Sequence, residues 1–384
     1  MRFAGFSMSE EETLLARTAA EFAMRRLLPG AAERDRTGAF PTDEVLELGR
    51  MGMLAMKVTE ADGGAGTSNV GYVLAMQALA RACASTAVVV ASSNLVGKIL
   101  AEHATEAQRE RWLGPFVRGE LGPASFALTE PKGGSDAAAI STRARLDGDA
   151  WVLDGEKAWI TSGTGAAFHL VFARTDGEGR DGISCFIVER GTPGLVIGRE
   201  EDKMGQRASG TTTLALESCR VPVDCLLGAR GAGYSIALSA LGAGRVGIAA
   251  LSLGIAEAAF DAGCGYAESR VVFGKALTEF QNSQFVLADT RTELDAAWLL
   301  TLRAARALDE GERAGAETSM AKLYATEACG RAVDRMVQLH GGYGYSREYP
   351  IERLYRDARV TRIYEGTSEI QRLVIAREII RRAR

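Results

Sequence analysis

Apolar positions recur with two different periods along this chain, and the changes of period divide it into three. From Ser9 to about Gly122 the spacing is helical: Leu14, Leu15, Thr18, Ala19 and Phe22 share one face behind Ser9 and Glu12, the two ends of a capping box. Pro29, Pro41 and the GGAGTS run at 63–68 punctuate it, and the stretch from Val70 to Leu100 is so apolar that it predicts buried helix. Pro115 and Pro123 bracket a break. Between about Ala124 and Gly231 the pattern turns to short β-branched runs: Trp151–Leu153, Leu170–Ala173, Ile183–Val188, Leu195–Ile197 and Thr212–Leu216. Gly and Asp turns (DGDA, TDGEGRDG, RGTPG) separate them, as in an antiparallel β-domain. After Gly233 helical spacing returns over Ser235–Arg270, Phe280–Asp309, Thr318–His340 and a last stretch beyond Thr367, four helices that read as a bundle. Helices, strands, then helices again imply separate layers rather than a parallel sheet.

Composition narrows the function classes. A chain of 384 residues with 47% hydrophobic and 24% charged positions is ordinary for a globular enzyme. A net charge of −4 removes the electrostatic case for nucleic acid, and the basic stretch at 377–384 only complements a helix dipole. Cys83, Cys185, Cys219, Cys225, Cys264 and Cys329 form no CxxC pair, and His103, His169 and His340 stand at no ligand spacing. Neither a metal site nor a disulfide scaffold is expected, and a reducing cytoplasm is the natural setting. The N-terminus has no apolar signal core and is too acidic for a transit peptide, no run is expected to reach membrane-span length, and the residues before Met8 read as an extension.

One stretch carries concentrated chemistry. In TRIYEGTSEIQRL, 361–373, a lone carboxylate, Glu365, sits between Tyr364 and Gly366, just before a helix start. Ser368 with Gln371 predicts a capping box there, and the free N–H groups of Gly366 and Thr367 suit a phosphate or a polarised carbonyl. Four other stretches are dense in polar groups: Phe126–Asp136, Trp159–Gly163, Arg270–Lys275 followed by Gln281 and Gln284, and Gln338–Tyr345. Together they describe the walls of a long, flat, diphosphate-bearing ligand. Gly242–Gly247 (GAGRVG) fits GxGxxG letter for letter, but it follows an Ala-rich helical run instead of a strand, so no dinucleotide turn is expected there.

The segments FALTEPKGGSDA, WITSG, RVVFGKALTEFQ, QLHGGYGY and YEGTSEIQRLVIAREI resemble the signature segments of the acyl-CoA dehydrogenases, particularly the short-chain, butyryl-type branch, in the family order and over nearly the whole chain. The resemblance implies an α+β fold: an N-terminal helical domain (1–123), a middle antiparallel β-barrel domain (124–231) and a C-terminal four-helix bundle (232–384). It implies FAD between the β-domain and the bundle, in a homotetramer or dimer, and electrons passed on to an electron-transfer flavoprotein. Carried over by position, Glu365 is the catalytic base. Phe126, Leu128, Thr129, Ser135, Trp159, Ile160 and Thr161 line the flavin and its ribityl chain. Arg270, Phe273, Gln281, Gln338, Leu339, His340, Gly341 and Gly342 hold the diphosphate and adenosine, partly across a subunit interface, and Thr367, Ser368 and Glu369 close over the flavin. Ser135, Gly242, Arg245 and Gly366 match positions that touch the thioester and its pantetheine arm; no metal is implied. The α-proton of a thioester is weakly acidic, so the chemistry wants a carboxylate with a pKa on the order of 7, raised by burial, and a hydrogen-bonded carbonyl.

Two departures bear on substrate. The family commonly places an aspartate where this chain has Gly242, which leaves room for a different handle, such as a carrier-protein phosphopantetheine. The Val88–Leu100 stretch is a residue or two shorter than in short-chain relatives, leaving chain length and branching open. Some relatives carry the base just before the arginine of the long helix; that position is Gly244 here. The rival classes are a flavin monooxygenase or oxidase on the same scaffold and a non-catalytic helical protein without FAD.

Overall fold

The computed structural model describes residues 7–382, so the extension expected before Met8 falls largely outside the described residues. Helix α1 (Glu10–Phe22) starts at the expected capping box: Glu12 N donates to Ser9 Oγ (3.1 Å) and Ser9 N to Glu12 Oε2 (2.9 Å). The same carboxylate accepts from Ser68 Oγ (2.8 Å), the N-cap of α4, which locks the first helix to the fourth. After α2 (Ala31–Thr37) and α3 (Thr42–Arg50), the apolar stretch forms two buried helices, α4 (Asn69–Ala82) and α5 (Ala84–His103), because Cys83 is extended and breaks it. Two short helical turns, α6 (Glu106–Gln108) and α7 (Gly114–Val117), lead to the strands.

The strands are β1 (Ala124–Ala127), β2 (Arg143–Asp147), β3 (Ala150–Ile160), β4 (Phe168–Arg174), β5 (Ile183–Glu189), β6 (Leu195–Glu200), β7 (Thr212–Pro222) and β8 (Leu226–Leu227). They form one sheet in the order β6-β7-β3-β2-β4-β5-β8, with β1 beside β4. Two expectations are corrected here. The sheet is mixed: β1 runs parallel to β4, because a loop and the β2–β3 hairpin lie between them and return the chain in the same direction. It is also not a closed barrel, since the path ends at β6 and β8. A register shift between Lys157 and Ile160 in the β3–β7 ladder turns Trp159 outward at φ 60°, the usual effect of a bulge.

Helix α8 (Gly233–Ser269) carries no charge before Glu257 except Arg245, and it packs against both helical blocks. It runs unbroken through Gly242–Gly247, which therefore makes no phosphate turn. A Cβ on Gly254 would lie 2.4 Å from the Gln77 carbonyl, so glycine there lets α8 and α4 meet backbone to backbone. The small hairpin β9 (Val271–Val272) and β10 (Lys275–Ala276) leads into α9 (Gln281–Asp309), α10 (Gly315–His340), α11 (Ile351–Arg359) and α12 (Ser368–Arg382). Helix α11 is additional to the four-helix reading; its charged sequence hides a narrow apolar edge of Ile351, Leu354 and Ala358. Contrary to expectation, α5 and α8 are long and apolar enough to span a membrane, but 83% and 65% of their most apolar windows are buried inside the protein.

The three parts meet around α11. Arg356 grips Asp35 of α2 with both guanidinium nitrogens (2.8 and 2.6 Å) and also Glu352. From the loop before β7, Gln206 donates its amide to Asp357 Oδ1 and its side chain to the Tyr364 hydroxyl (3.2 Å).

Candidate active site

The turn after α11 places a carboxylate in an unusual setting. Glu365 (φ 55°) and Gly366 (φ 90°) are successive left-handed residues, a conformation that costs a side-chain-bearing residue energy. The cap of α12 differs from the expected Ser368–Gln371 box. Thr367 is the N-cap, its Oγ1 accepting from Ile370 N (3.3 Å), while Ser368 gives its hydroxyl proton to Glu327 (2.6 Å). Gln371 reaches back past the cap and donates to the carbonyls of Glu365 (3.1 Å) and Gly366 (2.9 Å). Lys322 of α10 adds a second donor to the Gly366 carbonyl (2.8 Å). With both carbonyls held from one side, the turn keeps its strained shape. Among the described residues nothing accepts from the Glu365 N–H.

The Glu365 carboxylate points at α8. A Cβ on Gly244 would lie 2.7 Å from its Oε2 and 3.5 Å from Leu95, so glycine makes the space that the carboxylate enters. Oε2 is buried and has no hydrogen-bond partner. Burial pushes the Glu365 pKa up, the Lys322 and Arg245 charges pull it back, and it comes to rest at about 7. Burial in turn brings the Lys322 ammonium down to about 8, against the pull of Glu365. Arg245, also lowered by burial, donates Nη1 to Ser319 Oγ (3.0 Å) and keeps a buried, unpartnered Nε. Tyr72 of α4 closes the group, its phenol raised by burial and then by the Glu365 charge. A carboxyl that ionises near neutrality, with one oxygen held out of solvent, can take a proton from a weak carbon acid.

The sheet carries another group of candidate residues, and Gln206 ties the loop before β7 to Tyr364 of the turn. Phe126–Thr129 at the end of β1 and Trp159–Thr161 at the end of β3 are brought together by Ala158 N donating to Thr129 O (2.9 Å). Beneath them lies a buried knot: Glu130 accepts from Ser141 N and Oγ (2.6 and 2.7 Å), Thr142 N and Oγ1 (2.9 and 2.6 Å), and Lys157 Nζ (2.8 Å). Burial raises the Glu130 carboxyl, but the Lys157 ammonium and these hydrogen bonds outweigh it and bring it down to about 2. The loop carrying Ser135, which is exposed, is thus anchored at its base. Trp159 is 61% exposed, and Ser162 Oγ is buried with no partner. An exposed indole plane, the Thr129 and Thr161 hydroxyls and an orphaned serine oxygen fit a flat heteroaromatic ligand with a polar rim, as FAD requires.

The remaining predicted residues form a second cluster that does not join the first within one chain. Arg245 meets Ser319 at one end of the α8–α10 pair, and Tyr266 stacks on His340 (4.3 Å) at the other. These are the same number of residues along each helix (245 to 266, 319 to 340), or about 32 Å at 1.5 Å per residue. Arg270 lies over the Tyr343 ring (5.4 Å), beside Gln338–Gly342, while Phe273 and Tyr345 are 96% and 92% exposed. Gly242 faces neither cluster; it lines a cavity of about 890 Å³ with Lys57, Lys98, Arg313 and Thr318.

Several residues of the site were not anticipated. Lys322 is the clearest, and it had a signal: a lone lysine on a helix face otherwise made of Thr318, Ala321, Ala325 and Cys329, all buried. Gln206 and Tyr72 gave none, being remote in sequence from the turn they support.

Comparison with known proteins bears on the whole chain. Profiles of the acyl-CoA dehydrogenase N-terminal, middle and C-terminal domains match residues 9–120, 125–219 and 231–380. The mitochondrial short-chain specific acyl-CoA dehydrogenase of Mus musculus is 47% identical over 378 residues, covering 97% of this chain and 91% of that protein. Butyryl-CoA dehydrogenase from Megasphaera elsdenii superposes with a TM-score of 0.95 at 38% identity, covering 98% of this chain and 99% of that one. A chain from the structural study of the electron transferring flavoprotein of Acidaminococcus fermentans matches with the same score, identity and coverage. Three domain profiles in unbroken order, on a chain that holds a near-neutral carboxyl with one buried oxygen and an aromatic, hydroxyl-lined edge of the sheet, establish that the chain belongs to the acyl-CoA dehydrogenase family of flavin-dependent oxidoreductases.

Proposed function

We propose that this enzyme oxidises a short-chain acyl-CoA to its trans-2-enoyl thioester, with Glu365 taking the α-proton. The observation that carries the assignment is the Glu365 carboxyl itself: half-buried, with a buried, unpartnered Oε2, and balanced at about pH 7. A carboxyl at its ordinary value would be too weak a base for this proton, and one much higher would be protonated at neutrality. The Glu365 N–H, with no acceptor among the described protein groups, is free to donate to the thioester carbonyl and stabilise charge developing there. FAD, when bound, accepts the hydride leaving the β-carbon. Phe126, Leu128, Thr129, Ser135, Trp159, Ile160 and Thr161 would hold its ring and ribityl chain, with Thr367–Glu369 closing over it.

Arg245, Gly366 and Ser135 would contact the thioester and its arm, and the arm would lie toward the cavity that Gly242 lines, one helical turn before Arg245. The second cluster, Arg270, Phe273, Gln281 and Gln338–Gly342, is too remote to serve the same flavin, so it would serve that of another copy. Its exposed Phe273 and Tyr345 support a homo-oligomer, as a tetramer or dimer. The working division is 1–123, 124–231 and 232–384; the enzyme would work in the cytoplasm and hand electrons to an electron-transfer flavoprotein, and the structural match from the study of such a flavoprotein supports the second part. The test is anaerobic mixing of the FAD-loaded protein with butyryl-CoA while following the visible flavin band. Bleaching is expected, and is expected to vanish in Glu365→Gln; wild-type bleaching by that variant would refute the base assignment. Bleaching only by branched or longer thioesters would change the substrate class.

A further inference from the structure

We infer that Lys322 is a positioning residue of this site: its ammonium pins the Gly366 carbonyl and keeps the neighbouring Glu365 carboxylate ionised. The inference rests on the reading of Glu365 as the base. Lys322 is 0% exposed, and its Nζ has no carboxylate within ion-pair distance among the described residues. Its hydrogen bond goes to one backbone carbonyl, at 2.8 Å. An ammonium has three donors and strongly resists leaving water, so a buried lysine used on one carbonyl is a poor structural device. The carbonyl does not need it for satisfaction either, because Gln371 Nε2 already donates there at 2.9 Å. Methionine would fill the same slot without the desolvation cost.

What lysine adds is charge beside Glu365. Lys322 faces Glu365 and Glu369 from the turn and α12, Arg245 from α8, and Glu327 on its own helix. Glu365 in turn faces Lys322 from α10, Arg245 from α8 and Tyr72 from α4. Of these only Lys322 and Arg245 are cations, and Arg245 is tied to Ser319. Lys322 is also the cation bonded to the turn itself, so one side chain couples the aim of the Glu365 peptide to the ionisation of its carboxylate. A nearby cation favours the charged form of a carboxyl; removing it should raise the pH at which Glu365 ionises.

The experiment compares flavin bleaching by butyryl-CoA between pH 5.5 and 10 in wild type, Lys322→Gln, Lys322→Met, Lys322→Arg and Glu365→Gln, all FAD-loaded. In Lys322→Gln and Lys322→Met the rise of the rate with pH should move up by about one unit. That corresponds to roughly a fivefold loss at pH 7, recovered at pH 9. Lys322→Arg, which keeps the charge, should stay within about 0.3 unit of wild type. Lys322→Met should also unfold in urea no earlier than wild type, since it removes a buried charge. A pH-independent loss, an unmoved profile, or a Lys322→Met protein that does not fold would each overturn the inference in favour of a structural lysine. Glu365→Gln separates the two readings. If it is inert while the Lys322 profiles do not move, only the role of Lys322 fails; if it still bleaches, the base assignment fails first.

Discussion

Substituting Lys157→Met attacks the knot under the loop of 130–142, and its cost can be worked out. The side chains of Lys157 and Glu130 are 0% and 3% exposed, 2.8 Å apart. Their titrations do not mirror each other: Glu130 is held down to about 2, while burial also brings Lys157 down, to about 8. The pair as a whole is therefore near break-even, whereas a lone Glu130 is not, because its charge stays buried when the lysine goes. The drop from an unfolded value of 4.5 to about 2 corresponds to roughly 3 kcal/mol of stabilisation of the ionised carboxyl. Breaking one half of a buried pair typically costs about 3–5 kcal/mol. The Ser141 and Thr142 donors remain, so we expect about 3 kcal/mol. The sign follows from the lowered carboxyl: its stabilisation is complete above pH 4.5 and is lost as pH falls through 2. Urea unfolding followed by tryptophan fluorescence should show the full deficit at pH 7.5 and a smaller one at pH 3. The double variant Glu130→Gln/Lys157→Met should recover to within about 1–2 kcal/mol of wild type. A single-variant loss below about 1 kcal/mol at pH 7.5, or a double variant worse than the single, would refute the reasoning.

Other outcomes follow from the same geometry. The wild-type bleaching rate should climb with one-proton dependence through about pH 7, where Glu365 loses its proton; a flat profile from pH 5 to 9 would rule out its raised pKa. Gly242→Asp has open space at its Cβ and should bind butyryl-CoA about 10- to 100-fold more tightly in the Glu365→Gln background, by calorimetry, if a charge-assisted bond to the arm is gained. Glu365→Gly should lose about 10²–10⁴-fold in rate, and adding Gly244→Glu should restore part of it, since a side chain at 244 enters the space Oε2 occupies now. Arg356→Ala should cost about 2 kcal/mol in urea, between surface and buried ion pairs, because its contact with Asp35 joins α11 to α2 and is about one-sixth exposed.

Where the sequence spoke through local chemistry, it spoke clearly. The Ser9–Glu12 box, the five β-branched runs and the false GxGxxG needed only propensity and spacing, and each lies where periodicity places it. Charged elements were harder: β2 (RARLD) buries a single residue, and α11 (IERLYRDAR) keeps its helical spacing of Ile351, Leu354 and Ala358 inside a mostly charged sequence. The parallel β1–β4 pairing depends on a crossover, which no local pattern reports. At the site, Glu365 was legible from its turn. The cap was misplaced by one residue because Thr367 and Ser368 are equivalent as N-caps, and the competition was settled by Glu327, 41 residues away, claiming the Ser368 hydroxyl. Lys322, Arg245 and Tyr72 converge on one carboxylate from three helices, and only folding brings them together.

The left-handed conformation of Glu365 has a consequence for how such a protein drifts. A side chain at φ 55° costs about 1–2 kcal/mol that glycine would not. The carboxyl adds the penalty of a buried oxygen with no partner. Random substitution to glycine here is thus rewarded by the fold while it silences the chemistry. Libraries of this enzyme screened for thermal resistance or expression alone should accumulate inert, well-behaved members at position 365, and only a screen on turnover will retain the glutamate.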